Sequence, residues 1–203
     1  MPESERSLEV QRREMAARRF LAMPLAGTIA WLVVAAGGWL APGSAWLILF
    51  IATGSIAYLG MGLSKFTGEN FLDKTRPKNA FDSLFFHTVG MALLVYGIAI
   101  PFFLVDPSSL PLSVGVLTGL MWLPVSWLLQ HWIGIFHGAV RTVLLVAAHY
   151  LFPQHRYIVL PLIIVAIYAV TIAVLEQRWK SGQPGGRRAG PSSTARYPRT
   201  ARD

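Results

Sequence analysis

Residues 121–150 read MWLPVSWLLQHWIGIFHGAVRTVLLVAAHY, and this stretch decides the fold. Two apolar runs lie on either side of a short polar turn. A helix that crosses a bilayer needs about 20 predominantly apolar residues. The pattern predicts one span over 111–129, a turn over 130–136 with Gly134 as its break, and a shorter span over 137–152. Within the stretch lie His131, His137 and His149, three of the five histidines, and Arg141, the one arginine set inside an apolar run.

The same reading extends outward in both directions. Further apolar runs cover 20–41, 44–63, 80–105 and 157–175. Pro42-Gly43, Asp106-Pro107-Ser108-Ser109 and the segment 153–156 are tight turns between them. Pro24 falls in the first turn of the first run, where a missing N–H does least harm. The expected fold is therefore all-α: an integral membrane bundle of six transmembrane helices, arranged as three hairpins over residues 20–179.

Composition agrees. The chain has 203 residues, 54% hydrophobic and 14% charged, against about 25% charged in average soluble domains. It contains no cysteine, which excludes disulfides, thiolate metal sites and cysteine nucleophiles. A net charge of +8 invites a nucleic-acid reading, but no folded basic domain is left to carry it. Basic residues mark the cytoplasmic side of membrane proteins instead. The first 19 residues hold 5 Lys/Arg, the loop 64–79 holds 4 and the segment from Arg178 onward holds 7, so 16 of 18 fall on one side. Both termini are expected in the cytoplasm.

The flanking segments have their own character. Residues 1–19 are polar and helix-forming, with Ser4 and Ser7 as candidate N-caps and Glu9 spaced to pair with Arg12 and Arg13. They read as an interfacial leader helix before an anchor that stays, not a cleaved signal. In the loop, Asn79 is placed to cap the helix that follows, with Asp82 reaching back in a variant capping box. Residues 180–203 are Gly, Pro, Ser and Arg with little to bury, a composition that predicts disorder. The basic loop and tail suit anionic lipid headgroups. The expected partner is thus the lipid bilayer, with no nucleic acid; whether the bundle forms a homo-oligomer is left open.

Helical periodicity assigns faces. Gly115, Thr118, Gly119, Trp122 and Ser126 share one face of the fourth run, and Gly115 with Gly119 forms a GxxxG pair that lets backbones approach. Ser83, His87, Gly90 and Gly97 share a face of the third. His137 and Arg141 share a face of the fifth, with Leu144 and Ala148 above them. Pro124 frees the carbonyl of Leu120. Counting from a turn at 136 puts Arg141 roughly 7 Å deep. Ionised residues inside spans are costly and are usually paired or functional. Asp82 is the carboxylate nearest in depth, so the expectation is an Asp82–Arg141 pair, or else an arginine that snorkels to the interface.

No metalloprotease, hydrolase or nucleotide-binding motif occurs, and the histidine spacings fit no compact zinc pattern. No cofactor or metal is expected, and an enzyme is the less favoured class. The chain resembles a family of small bacterial multi-pass membrane proteins of unknown function. The resemblance rests on Arg18-Arg19 before residues 27–31 (GTIAW), on Ser64-Lys65, on Asn79, and on Leu123-Pro124-Val125-Ser126-Trp127. It covers roughly residues 10–175. The long basic tail and Arg76-Pro77-Lys78 depart from it. It implies a fold and no mechanism. Two functions fit. One is a transporter-like or channel-like inner-membrane protein with a cytoplasm-side polar vestibule for a small or anionic ligand. That vestibule would be lined by Asp82, His87, Ser126, Gln130, His131, His137 and Arg141. The other is a non-transporting scaffold, complex subunit or stress-response protein. A solvent-reachable cavity at His87, Ser126, His137 and Arg141 would favour the first.

Overall fold

The computed structural model describes residues 6–71, 73 and 79–182, and no strand occurs among them. The helices are α1 (Leu8–Ala16), α2 (Ala22–Leu40), α3 (Ala45–Gly54), α4 (Ile56–Phe66), α5 (Ala80–Leu94), α6 (Tyr96–Val105), α7 (Leu110–Leu120), α8 (Trp122–Leu129), α9 (Ile133–Leu151) and α10 (Arg156–Gly182). Five helical segments are long and apolar enough to cross a membrane: Ala22–Leu40, Ala80–Val105, Pro107–Leu129, Ile133–Leu151 and Pro153–Gly182. The pair Pro42–Gly54 and Ile56–Phe66, bent by 48°, makes a sixth if it is one span. The basic tail beyond Gly182 and the loop cations Lys74, Arg76 and Lys78 lie outside the described residues.

α2 is the centre of the bundle and packs along α10, α4 and α3, while α9 packs against α10, α7 and α8. The core is aliphatic and aromatic, with Trp31, Leu49, Leu145, Leu160 and Ile164 fully buried. Large apolar side chains left exposed, such as Leu47, Ile51, Leu94, Phe102 and Val143, form the outer surface. That distribution suits a lipid solvent, since a water-soluble monomer rarely exposes large contiguous apolar patches.

The expected helix at 137–152 starts earlier. Gln130 sits in the left-handed region (φ 51°, ψ 43°) at the end of α8. The His131 N–H donates to the Ser126 carbonyl at 3.1 Å and the Gln130 N–H to the Trp127 carbonyl at 3.2 Å, the pairing of a Schellman stop. The chain reverses within three residues, and α9 runs from Ile133 for 19 residues. Gly134 is therefore not the break. It lies inside α9 where α8 crosses, and a Cβ there would meet Ser126 Cβ at 2.6 Å and Ser126 N at 2.8 Å. The glycine is needed for close approach. The GxxxG pair behaves as its spacing predicts: a Cβ on Gly115 would meet Leu145, and one on Gly119 would meet Arg141, both on α9.

Two other face assignments are corrected. Gly90 and Gly97 have nothing within 4 Å of an added Cβ, and Ser83 and His87 are exposed. The face of α5 and α6 that packs carries Phe81, Phe85, Thr88 and Ala99. Small residues there do not mark an interface, because this segment is peripheral, with only 11% of its apolar window buried. On α9 Leu145, not Leu144, continues the buried face.

Candidate functional site

Polar contacts gather at one end of the bundle. Ser7 caps α1 by accepting from the Val10 N–H at 3.4 Å, and Glu9 pairs with Arg13 on its exposed side. The other side of α1 docks on the bundle, with Gln11 and Met15 buried. The Asn79 amide donates to the Gln11 carbonyl at 2.8 Å, and the Ala80 N–H donates to Gln11 Oε1 at 2.9 Å. Asn79 also accepts from the Phe81 N–H at 2.9 Å, so it is the N-cap of α5. Arg12 lies over the Trp127 ring at 4.9 Å. With the Gln130 amide turned so that its oxygen faces Arg12, that oxygen accepts from Arg12 Nη2 at 2.8 Å. Arg178 of α10 donates to the carbonyls of Ala16 and Arg18, closing the end of α1.

Asp82 is part of this end layer. It does not reach Arg141; it pairs with Arg18, whose second guanidinium nitrogen donates to Oδ2 at 3.3 Å. The adjacent Arg19 donates to both oxygens of Glu176 at 2.7 and 2.8 Å and lies over Trp179 at 4.8 Å. Glu176 accordingly holds the Arg19 guanidinium above its ordinary range. Glu69 accepts from the backbone N–H groups of Leu21 and Ala22 at 2.8 and 2.7 Å. It thereby satisfies the start of α2, where Phe20 takes a left-handed φ of 55°. Between these groups lies a cavity of about 720 Å³, walled by Arg18, Arg19, Phe20, Asp82, Phe85 and Trp179 among others.

The remaining predicted residues do not enter that cavity. Ser126 and His131 build the α8–α9 turn, the Ser126 hydroxyl donating to the His131 carbonyl. Partial burial, and then Arg178, pushes the His131 imidazole below its ordinary value. The exposed His87 ring bonds the Ser83 carbonyl of its own helix at 2.7 Å. Of the seven, Ser126 with His131 and His137 with Arg141 are brought together in pairs, and Asp82 alone lines the end cavity.

His137 and Arg141 form the second polar centre, and both are fully buried. Arg141 is the ninth residue of the 19-residue α9, about 12 Å from its start at 1.5 Å per residue. It neither pairs with Asp82 nor snorkels. Its Nη1 donates to His137 Nε2 at 3.3 Å and its Nη2 to Thr118 Oγ1 at 3.0 Å. Since Nε2 accepts, the imidazole proton is on Nδ1 and is donated to Thr171 Oγ1 at 2.9 Å. Thr171 passes its own proton to the Ile167 carbonyl at 2.8 Å, and Thr118 passes its proton to the Val114 carbonyl at 2.6 Å. The guanidinium carbon lies 5.4 Å from the Trp31 ring and 5.8 Å from the Tyr168 ring. Trp122 stacks on His137 at 4.3 Å.

Among the described residues no carboxylate touches Arg141. By insertion scales an arginine at bilayer mid-depth costs about 2.5–3.5 kcal/mol. A hydrogen bond to a charged group is worth about 1.5–3 kcal/mol, and a desolvated cation–π contact about 2 kcal/mol. Contacts of this number and kind can hold the guanidinium in its charged form. Sequence reasoning placed Thr118 and Trp122 on the inward stripe but missed Trp31, Tyr168 and Thr171. The available signal was their shared position near mid-helix in otherwise apolar runs. Among the described residues no cluster of three or more His, Asp or Glu could hold a metal.

A family model covers residues 8–178 of this arrangement, from α1 through the Arg178 clamp. The chain belongs to the DUF7010 family, a family of unknown function. The match takes in both the leader helix and the last turns of α10, so the end layer is part of the family unit and not an appendage. No curated protein and no solved structure matches the chain.

Proposed function

We propose that this DUF7010 chain is a multi-pass inner-membrane protein of bacterial type, with its basic end in the cytoplasm. In this reading it is transporter-like and binds a small amphipathic ligand in the end vestibule. The observation that carries the reading is the 720 Å³ cavity, whose walls set the rings of Phe20, Phe85 and Trp179 beside Arg19 and the Arg18–Asp82 pair. Such a wall suits an apolar body with one ionic end. An acidic ligand would compete with Asp82 for Arg18, and an amine would compete with Arg18 for Asp82. Three spans are interrupted near mid-length, at Ser55, Val95 and Met121. Discontinuous helices of this kind recur where transporters rearrange, an analogy at the level of the fold.

A non-transporting role is the second reading. The close packing of Trp122, His137, Arg141 and Tyr168 favours it, because these side chains are buried at mid-height of the bundle. One experiment separates the readings. Purified protein is screened by thermal shift against amphipathic acids, amines and lipids. Hits are retested on Trp179→Ala and on Arg18→Ala/Asp82→Ala, then assayed for uptake in liposomes. Vestibule-dependent binding with uptake supports the transporter-like reading. Binding without uptake assigns the non-transporting one. Hits that stabilise all variants equally overturn the vestibule as the site.

A further inference from the structure

The vestibule has a neighbour. A crevice of about 50 Å³ lies one helical turn further along α5, walled by Met23 of α2, Ile56 and Ala57 of α4, and Val89, Ala92 and Leu93 of α5 among others. Two elements lead from one space to the other. On α5, Phe85 walls the vestibule and Val89 the crevice, and residues four apart lie one above the other on a helix face. At the start of α2, Phe20 walls the vestibule and Met23 the crevice. The rings of Phe20 and Phe85 meet edge to face at 5.8 Å and form the step between the two. α5 packs on α1, α7 and α8 and has little contact with α4. Leu93, at the edge of the crevice, is exposed on the outer surface of the bundle, so this seam reaches the lipid side.

The two spaces differ in chemistry as the two ends of a lipid do. No wall residue of the crevice is acidic or basic. The hydroxyl protons of Thr53 and Thr118 go to the carbonyls of Leu49 and Val114, so the wall offers mainly methyl, thioether and ring surface. The vestibule instead sets both signs side by side. Arg19 is engaged by Glu176 and Trp179, which leaves the Arg18–Asp82 pair to meet a ligand's head. A purely acidic head on Arg18 would strand Asp82, and a purely cationic head on Asp82 would strand Arg18. A head that carries both signs engages both and strands neither, and stranded charges are costly away from water. Length fits as well. From Asp82 to Leu93 the unbroken α5 rises about 16 Å at 1.5 Å per residue. Half of a hydrocarbon core of about 30 Å is about 15 Å, the depth that one leaflet's acyl chains fill.

We propose that the α4–α5 seam is a binding site for a zwitterionic phospholipid of the bilayer. Its phosphate-and-amine head sits at Arg18 and Asp82 in the vestibule, and one acyl chain runs along α5 past Phe85 to end in the crevice at Val89 and Ala92. This rests on the reading of the vestibule as an amphiphile site and adds the class of head and the seat of the tail. The 720 Å³ vestibule is of the size that takes a drug-sized ligand, and the crevice takes the end of the chain and not its length. The lipid enters from the side, through the gap that α4 and α5 leave, and a second acyl chain stays in the bilayer. Both ends set the selectivity: a soluble zwitterion lacks the tail, and an alkyl phosphate lacks the partner for Asp82.

The test uses the full chain in a maltoside detergent, titrated with single-chain phosphoethanolamine lipids of increasing chain length and followed by melting temperature. Each buried methylene adds about fourfold in affinity, so the half-saturating concentration should fall with chain length and level off once the crevice is full. Ala92→Phe and, separately, Val89→Phe fill the crevice. Each should weaken long chains by at least about tenfold, the loss of two or so methylenes, and leave short chains bound as in the native protein. Partition of long chains into micelles is the same for every variant and cancels in that comparison. An alkyl phosphate and an alkylamine of equal length should each bind the native chain at least about tenfold more weakly than the zwitterion, as loss of a hydrogen bond to a charged group does. That comparison of heads decides the matter if neither crevice variant folds. Equal binding at all lengths, or a gain with length that both crevice variants keep, overturns the tail seat while the vestibule reading stands. An alkyl phosphate or alkylamine that binds as tightly as the zwitterion overturns the head assignment. If no head at any length binds, the proposal falls, and the vestibule reading is judged separately by the screen on Trp179→Ala.

Discussion

Arg19 and Arg141 show two ways in which one bundle accommodates a guanidinium. Arg19 sits at the end of the molecule, meets both oxygens of Glu176, and keeps part of its surface in solvent. Arg141 sits at mid-height, fully buried, and among the described residues meets hydroxyl, imidazole and ring faces but no carboxylate. The first arrangement neutralises the charge locally. The second keeps the charge and gives it a dry surround of acceptors and ring faces. An ion pair at a wet end can be lost at little cost, whereas a fully buried group engaged by His137, Thr118, Trp31 and Tyr168 cannot.

The largest expected effect follows from that contrast. Arg141→Ala removes one of the largest fully buried side chains and strands His137 and Thr118. It should cost about 2–5 kcal/mol, the range for large-to-small changes in a core. Asp82→Asn should cost no more than about 1 kcal/mol, as for other part-exposed ion pairs. The two residues are not in contact, so a double variant should be additive within about 0.5 kcal/mol. A melting series of the four proteins in one detergent reads this directly. A double variant markedly more stable than the sum would restore the Asp82–Arg141 pair that this fold does not contain.

The next effect tests why α9 can carry Arg141 so deep. Gly134→Ala places a methyl group against Ser126 and the backbone of α8. Overpacking of this kind costs about 1–3 kcal/mol. The same melting series in one detergent reads the loss. A variant as stable as the native chain would show that α8 yields there, and that the crossing does not hold the arginine in place.

That same turn shows what could be read from the sequence and what could not. Apolar run lengths located the apolar helical segments, though not their breaks at Ser55, Val95 and Met121, and the spacing of Gly115, Thr118, Gly119 and Trp122 picked out the inward face. Both are local signals with a fixed period. The turn at Gln130 was misjudged by a few residues because a glycine is the usual stop signal and Gly134 was at hand. A non-glycine residue in the left-handed region gives no such signal. The slip moved the apparent start of α9 and made Arg141 look shallow enough to reach Asp82. The true partner of Asp82 was also hidden. Arg18 follows a polar helix whose docking depends on Gln11 and Asn79, and no hydropathy pattern reports that long-range contact. The face of α5 was misread for a third reason: small residues mark an interface only where a neighbour exists, and α5 is at the rim.

A smaller effect belongs to Arg19 itself. Its side chain is 29% exposed and that of Glu176 17%, so solvent screens much of the attraction. A double-mutant cycle over Arg19→Ala and Glu176→Ala should give a coupling of about 0–1 kcal/mol, shrinking as salt is raised. The cycle must also count the donation from Arg19 to the Thr67 carbonyl at 3.2 Å, which Glu176→Ala leaves in place. A coupling above that range that resists salt would mean the end layer is as dry as the Arg141 centre. The contrast between the two arginines would then be one of partner and not of environment.

The smallest effect lies at the opposite end, where Arg156 meets Asp106 at 3.7 Å. Ser108 bonds to the Asp106 carboxylate, its backbone N–H at 2.9 Å, and Ser108 with Arg156 holds that carboxyl below its ordinary value of 3.8. A carboxyl whose folded pKa is depressed stabilises the fold at pH above its unfolded value. It loses that contribution as pH falls through the folded value. The gap in melting temperature between the native chain and Asp106→Asn should therefore be full at about pH 6 and should close toward about pH 3. Asp106 is half exposed, so the gap will be small, below that of the Arg19–Glu176 pair. A gap that widens on acidification would require a raised carboxyl, and the turn that joins α6 to α7 would then bury Asp106 instead of fastening it to Ser108 and Arg156.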